Sequence, residues 1–485
     1  MKIQDLQPKA LWKNFANLNA VPRPSKKEER VIAFAKKFGE DLGLPTHVDE
    51  VGNVIIKKPA TEGMENRTTV VLQSHLDMVH QKNADTDFDF DKEGIKMLID
   101  GDWVKADGTT LGADNGIGVA AIMALLESTD IAHPPLEALF TIDEETGMTG
   151  AMGLVGGLLD AKIMLNLDTE DDDELTIGCA GGVDVTAKGT YEVEKTPENY
   201  KGYKLAIKGL SGGHSGMDIH RGLGNANKLM NRLLYNLNKV ANIRIASIDG
   251  GSLRNAIPRE SFAAIAVETT DSQHLSTFVE KWQAILENEY KATDPDLKLI
   301  LEPCDVPSVV CSKTFQKQFL AAVYACPCGI YRMSPEISDL VQTSNNLARV
   351  LLKDGAYQVL CLTRGSVDTE KQDEADAIVN TFELIGAVVT LSGAYPGWAP
   401  NPNADIIKIM SNLYQEMYQE TPHVYACHAG LECGILGTNY PDMEMISFGP
   451  NIRGAHSPDE KVQISSVQKF WDYLLATLKR IPEAS

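Results

Sequence analysis

The feature that most limits how this chain can fold is a repeated pattern, a short apolar run with the texture of a strand that closes on residues able to hold a cation. The run "VVLQSH" ends in His75 and is followed by Asp77; "LEALFTI" leads into Asp143, Glu144 and Glu145; "KIMLNL" ends at Asp168; and "MEMISF" opens a loop that carries His456. Runs this apolar read as strands buried on both faces, which parallel sheets require. Between them lie segments with helical spacing of apolar residues, "KEERVIAFAKKFGEDLG" and "GVAAIMALLES". Alternation of that kind predicts an α/β fold, a mainly parallel sheet with helices on both faces.

In open α/β sheets, ligands bind where the carboxyl ends of the strands meet the loops. The closing residues therefore collect at one edge. Asp114 joins them from the turn "TTLGADNGIG", just before a helix. Residues at i and i+2 of an extended chain point to the same side, so His75 and Asp77 can meet the same object. Two imidazoles and three carboxylates, one able to bridge, give each of two divalent ions a mixed nitrogen and oxygen shell with room for water. The set suits zinc and also cobalt or manganese, since no thiolate selects a softer metal. Of the adjacent Glu144 and Glu145, one is expected as ligand and the other as base, because neighbouring side chains on an extended segment point different ways. Asp77 is expected behind the metal, fixing the ring of His75 through its other nitrogen. Taken singly, each motif is weak, since an acidic turn is usually solvated and an Asp at a helix start is usually a cap. A solvated loop has no reason to repeat the pattern after strand upon strand.

The 485 residues exceed what one core usually holds. The alternating texture gives way to longer polar strands and amphipathic helices, such as "YKLAIKGL" and "NANKLMNRLLYNLNKV", and returns after the boundary "GAYPGWAPNPNAD". The expectation is a catalytic domain formed by residues 1–183 and 397–485, interrupted by an inserted α+β domain at residues 184–396. The net charge of -22 argues against nucleic acid and anionic membranes as partners. The first residues lack the apolar core of a signal peptide, and no stretch has the length of a membrane span, so a soluble cytoplasmic protein is expected. The 8 cysteines are scattered, and Cys326 and Cys328 have the wrong spacing for a zinc knuckle, so free thiols in a reducing compartment are expected.

The motifs "SHLDMV", "TTLGADNGIG", "DEETGMTGA", "NLDTE" and "GAHSPDE" resemble the zinc-binding motifs of the dinuclear metallopeptidases that include carboxypeptidase G, the aminoacylases and the carnosinases. With "GCAGG", "KGLSGGHSG", "GLGNANKL", "GSLRNAIPRE", "GAYPGW" and "HAGLECG", the resemblance covers nearly the whole chain and narrows to the bacterial dipeptidases of that family. It implies that His75, Asp114 and Asp168 hold one zinc and that Asp114, Glu145 and His456 hold the other, with Asp114 as the bridge and a cis peptide bond between Asp114 and Asn115. Glu144 resembles the general base. The inserted domain resembles a lid that also dimerises. His214 resembles the residue that steadies the carbonyl oxygen as it gains charge, supplied by the partner subunit in dimeric relatives. Asn255, Arg364 and the backbone at Gly430 resemble substrate-binding positions, with Arg364 suited to grip a free carboxylate. On composition alone, His214 reads as part of a flexible loop and Arg364 as half of a surface ion pair. His428 and Glu432 receive no role. The implied function is zinc-dependent hydrolysis of unblocked dipeptides, Xaa-His among them, by a homodimer. The alternatives are a deacylase or single-residue carboxypeptidase on the same site, or a binding protein on a degenerate scaffold.

Overall fold

The computed structural model describes residues 2–484, which form two compact units. The first comprises Met1–Gly178, Pro400–Ala426 and Leu431–Ser485. Its centre is an 8-stranded sheet. The strand Val70–His75 is buried at every residue and runs parallel to Leu136–Thr141 on one side and Ile163–Asn166 on the other, and Glu444–Ser447 extends the parallel part. Antiparallel pairing enters only toward the flanks, where Val54–Lys58 joins Leu136–Thr141 and Thr46–Val48 joins Val54–Lys58.

Register is what positions the site. His75 lies opposite Thr141, and Asn166 opposite both Gln73 and Ser447. Parallel strands in this register all leave the sheet at the same edge, so the residues that follow them share one rim. The helix Ala113–Glu127 is apolar on nearly all sides, as a fully buried helix must be, and it packs against Lys9–Asn19 and Val70–His75. A separate 4-stranded sheet holds the hairpin Ile452–Arg453 and Lys461–Gln463, whose connecting loop contains His456.

The second unit comprises Cys179–Ala399 and Cys427–Gly430. It is built on a 9-stranded sheet whose successive pairs are antiparallel. The helices Ala226–Val240, Leu275–Tyr290, Lys313–Ala325 and Asp368–Glu383 contribute Leu233, Leu286, Phe319 and Phe382 to a core shared with Ile245, Ile265 and Val359 of the strands. Alternation along those strands explains the polar texture of this part of the sequence, since each strand turns only one face to the helices. The segment Cys427–Gly430 clusters here, because the Ala180 N–H donates to the carbonyls of Cys427 and Ala429 at 3.2 and 2.9 Å. Cys304, Cys311, Cys326, Cys328 and Cys361 are free thiols. Among the described residues, no helix is long and apolar enough to cross a membrane.

Candidate metal centre

The rim of the first unit gathers the ligand-type residues around Asp114. One oxygen of that carboxylate, Oδ1, lies 3.1 Å from Nε2 of His75, and the other, Oδ2, lies 3.2 Å from Nε2 of His456. Asp168 approaches the same nitrogen of His75 at 3.5 Å, and Glu145 the same nitrogen of His456 at 3.0 Å. The residues thus separate into two sets that share only Asp114. Ligand atoms of His75, Asp114 and Glu145 all lie within 4.8 Å of one another.

Local structure explains each placement. Asp114 follows Gly112, whose φ of 69° is left-handed, and the Asp114–Asn115 peptide bond is cis. Asn115 donates to the Leu167 carbonyl at 2.9 Å and also to Asp168, which holds that carboxylate toward His75. Glu144 and Glu145 are not on an extended segment. Asp143 adopts a left-handed φ of 52°, and a turn follows, closed by N–H groups of Gly147 and Met148 on the Asp143 carbonyl. The turn, rather than strand alternation, separates the two carboxylates. Asp77 accepts the backbone N–H of Glu144 at 3.0 Å and that of Glu145 at 3.3 Å, and its carboxylate lies 3.4 Å from Nδ1 of His75.

The titration behaviour reports a concentrated negative field. Hydrogen bonds donated to Asp114 and Glu145 push His456 up to about 11. Burial disfavours a charged His75, yet Asp168, Asp114 and Asp77 outweigh it and raise its pKa well above the usual range. Burial raises Glu144 strongly, with Asp168, Glu145 and Glu432 adding repulsion. Asp114 also loses hydration, but its bonds to His456 and His75 hold it below the usual carboxylate range. Hard oxygen and imidazole donors in such a field fit divalent cations of the zinc, cobalt and manganese kind.

In the second unit the other candidates come together. The Ser215 N–H donates to the Asn255 carbonyl at 2.8 Å, and His214 bridges to Ala256, so their loops lie side by side. Nδ1 of His214 accepts the N–H groups of Gly216 and Met217 at 3.2 and 3.0 Å, which leaves the proton of the neutral ring on Nε2. Burial and Arg364 keep that ring below its usual pKa. Arg364 is only 5% exposed and donates to Tyr395 Oη at 3.0 Å and Ser215 Oγ at 3.4 Å. Among the described residues it has no carboxylate within 4.0 Å, so it is not half of a surface ion pair. A Cβ on Gly216 would meet the His428 carbonyl at 2.0 Å and Arg364 Nε at 3.2 Å, so the Gly216 backbone passes close to both, and Gly430 lies two residues beyond His428.

A model of peptidase family M20/M25/M40 matches residues 71–480. The chain belongs to that family. It is 43% identical over 481 residues to the cytosol non-specific dipeptidase of Escherichia coli, covering 99% of both chains. The crystal structure of aminoacylhistidine dipeptidase from Vibrio alginolyticus matches with a TM-score of 0.95 and 44% identity, covering 100% of this chain and 99% of that one. The fold extends to an aminopeptidase PepT from Bacillus cereus, with a TM-score of 0.58 at 16% identity over 98% of this chain and 99% of that one.

Some residues at this M20/M25/M40 site escaped the sequence reading. Arg23 and Glu460 are buried beside the segments that carry His75, Asp114 and His456, and Ser25 donates to Asp77 at 2.8 Å. Glu432, singled out in the sequence but given no role there, is fully buried, accepts from Gln73 and Thr141 at 2.6 Å each, and is pushed up to about 7 by burial. For Glu460, a signal was present in its place four residues after His456 in "HSPDE".

Proposed function

We propose that this chain is a zinc-dependent dipeptidase that cleaves unblocked dipeptides of broad sequence, Xaa-His included. The observation that carries the reading is the division of Asp114 between two imidazoles, with Glu145 and Asp168 completing separate donor sets and Glu144 half-buried alongside. The near full-length relationship to two dipeptidases supports the substrate class, and the word cytosol in one relative's name supports a cytoplasmic setting.

His75, Asp114 and Asp168 would hold one zinc, and Asp114, Glu145 and His456 the other; bound there, the ions would polarise the scissile carbonyl and acidify a water molecule. Glu144 takes the proton of the attacking water and delivers it to the leaving amine. Asp77 holds the ring of His75 and the backbone of Glu144 in fixed relation. His214 offers the Nε2 proton to the carbonyl oxygen as charge develops there. Arg364, a buried cation without a carboxylate partner among the described residues, receives the substrate's α-carboxylate, and Asn255 with the backbone of Gly430 adds hydrogen bonds. The second unit is the lid and the dimer interface in this reading. Its terminal strand Val388–Tyr395 supports pairing with a second copy, since Val388 is 72% exposed at an edge whose hydrogen-bonding groups face outward.

The test is hydrolysis of a free Xaa-His dipeptide beside its N-acetylated form, with protein stripped by chelator and restored with zinc. Cleavage of the free form alone is expected. Preference for the acetylated form moves the function to a deacylase or carboxypeptidase.

A further inference from the structure

The turn that presents Asp114 raises an accounting question. It enters the helix Ala113–Glu127 through Gly112, which has no side chain to cap the opening N–H groups. Such groups need partners when buried. Glu460 supplies them from the far end of the chain. Its Oε2 accepts the N–H groups of Leu111 and Gly112 at 2.7 and 2.9 Å, and its Oε1 those of Ala113 and Asp114 at 2.7 and 3.2 Å. Glu460 is 2% exposed.

Arg23 grips the same turn from its carbonyl side. One terminal nitrogen donates to the Gly112 carbonyl at 2.5 Å, and the other to the carbonyls of Leu76 and Asp77 at 3.0 and 2.9 Å. A Cβ on Gly112 would sit 2.5 Å from that guanidinium, so the glycine is required by this approach as well as by its left-handed φ. The Gly112 residue is thus held by Glu460 through its N–H and by Arg23 through its carbonyl.

We propose that Arg23 and Glu460 are positioning residues that join the His75, Asp114 and His456 segments into one frame and so set the spacing of the two donor sets. Neither side chain is a ligand. Arg23 ties the backbone just beyond His75 to the Asp114 turn, and Glu460 ties that turn to the loop of His456, four residues away in sequence. Because both sets share Asp114, a shift of its backbone disturbs both ions. The proposal rests on the metallopeptidase reading.

The experiment titrates chelator-stripped protein with Co2+ and follows affinity and visible absorption for the natural chain, Glu460→Gln, Arg23→Lys and the exposed control Asp459→Asn. Glutamine can accept at one end but turns an NH2 group toward two N–H donors, and lysine cannot span both carbonyl groups. Co2+ affinity is expected to fall by roughly tenfold to hundredfold in the first two variants, as for other residues that support metal ligands, with an altered spectrum and retained far-UV circular dichroism. The control should match the natural chain. Natural affinity and spectrum in a folded Glu460→Gln or Arg23→Lys overturn the proposal; if Glu460→Gln does not fold, Arg23→Lys decides on the same readouts, and if neither folds while Asp459→Asn does, the pair is a fold determinant and the positioning role is rejected. A natural chain that takes up no Co2+ instead overturns the metallopeptidase reading itself.

Discussion

The backbone N–H of Glu144 donates to the carboxylate of Asp77 at 3.0 Å, so the side chain that stands behind His75 also fixes the stretch carrying the proposed base. Removing that carboxylate loosens both. Asp77→Ala is expected to lower zinc affinity by roughly tenfold to hundredfold and to lower kcat at saturating zinc. Zinc titration with a competing chelator, run beside steady-state kinetics, checks both effects; an unchanged zinc affinity and kcat contradict them.

Glu144→Gln separates proton transfer from metal binding. The variant should lose roughly 10²–10⁴-fold in kcat, the range for a general base, and still bind metal in the natural amount. Kinetics with metal analysis of the same sample decides the matter, and natural turnover removes Glu144 from the mechanism.

Zinc uptake should release protons. With its pKa near 11 from Asp114 and Glu145, His456 keeps its proton at neutral pH until a metal takes the lone pair. Apparent affinity therefore rises with pH. Calorimetry in buffers of different ionisation enthalpy should show net release, and an enthalpy independent of buffer argues against it.

Glu432 makes the metal-free protein sensitive to pH in a defined direction. Burial raises its carboxyl from 4.5 to about 7 in the folded chain. The unfolded chain gives up that proton first, so this group's contribution falls as pH rises from 4.5 to 7 and is level above. Glu432→Gln, which can still accept from Gln73 and Thr141, should flatten the loss across that window. Urea unfolding at several pH values measures it, and an unchanged slope refutes the assignment.

Arg364→Met should raise KM for free dipeptides by roughly tenfold to hundredfold, corresponding to about 1.5–3 kcal/mol for hydrogen bonds to a charged group, with a smaller effect on dipeptide amides. Equal effects on acid and amide would exclude carboxylate recognition.

The rim of the sheet was legible because its chemistry is written at strand ends. Val70–Leu72 are too apolar for a solvated strand, and His75 closes them; the same holds for Ile163–Leu165 before Asp168. What stayed hidden works through the backbone. Arg23 and Glu460 bond to N–H and C=O groups, which every residue carries, so no spacing of side-chain types reveals the partners. The Glu144–Glu145 turn was misread as extended because a left-handed Asp143 leaves no periodic mark. Cys427–Gly430 joins the second unit through backbone bonds to Ala180, a pairing across distant sequence that local texture does not carry.

The most direct measurement adds zinc stepwise to chelator-stripped protein and follows hydrolysis of a free Xaa-His dipeptide together with bound metal. The account predicts no cleavage without metal and recovery that levels off as bound zinc reaches two per chain. Full cleavage by the stripped protein, or none after zinc is bound, would contradict it.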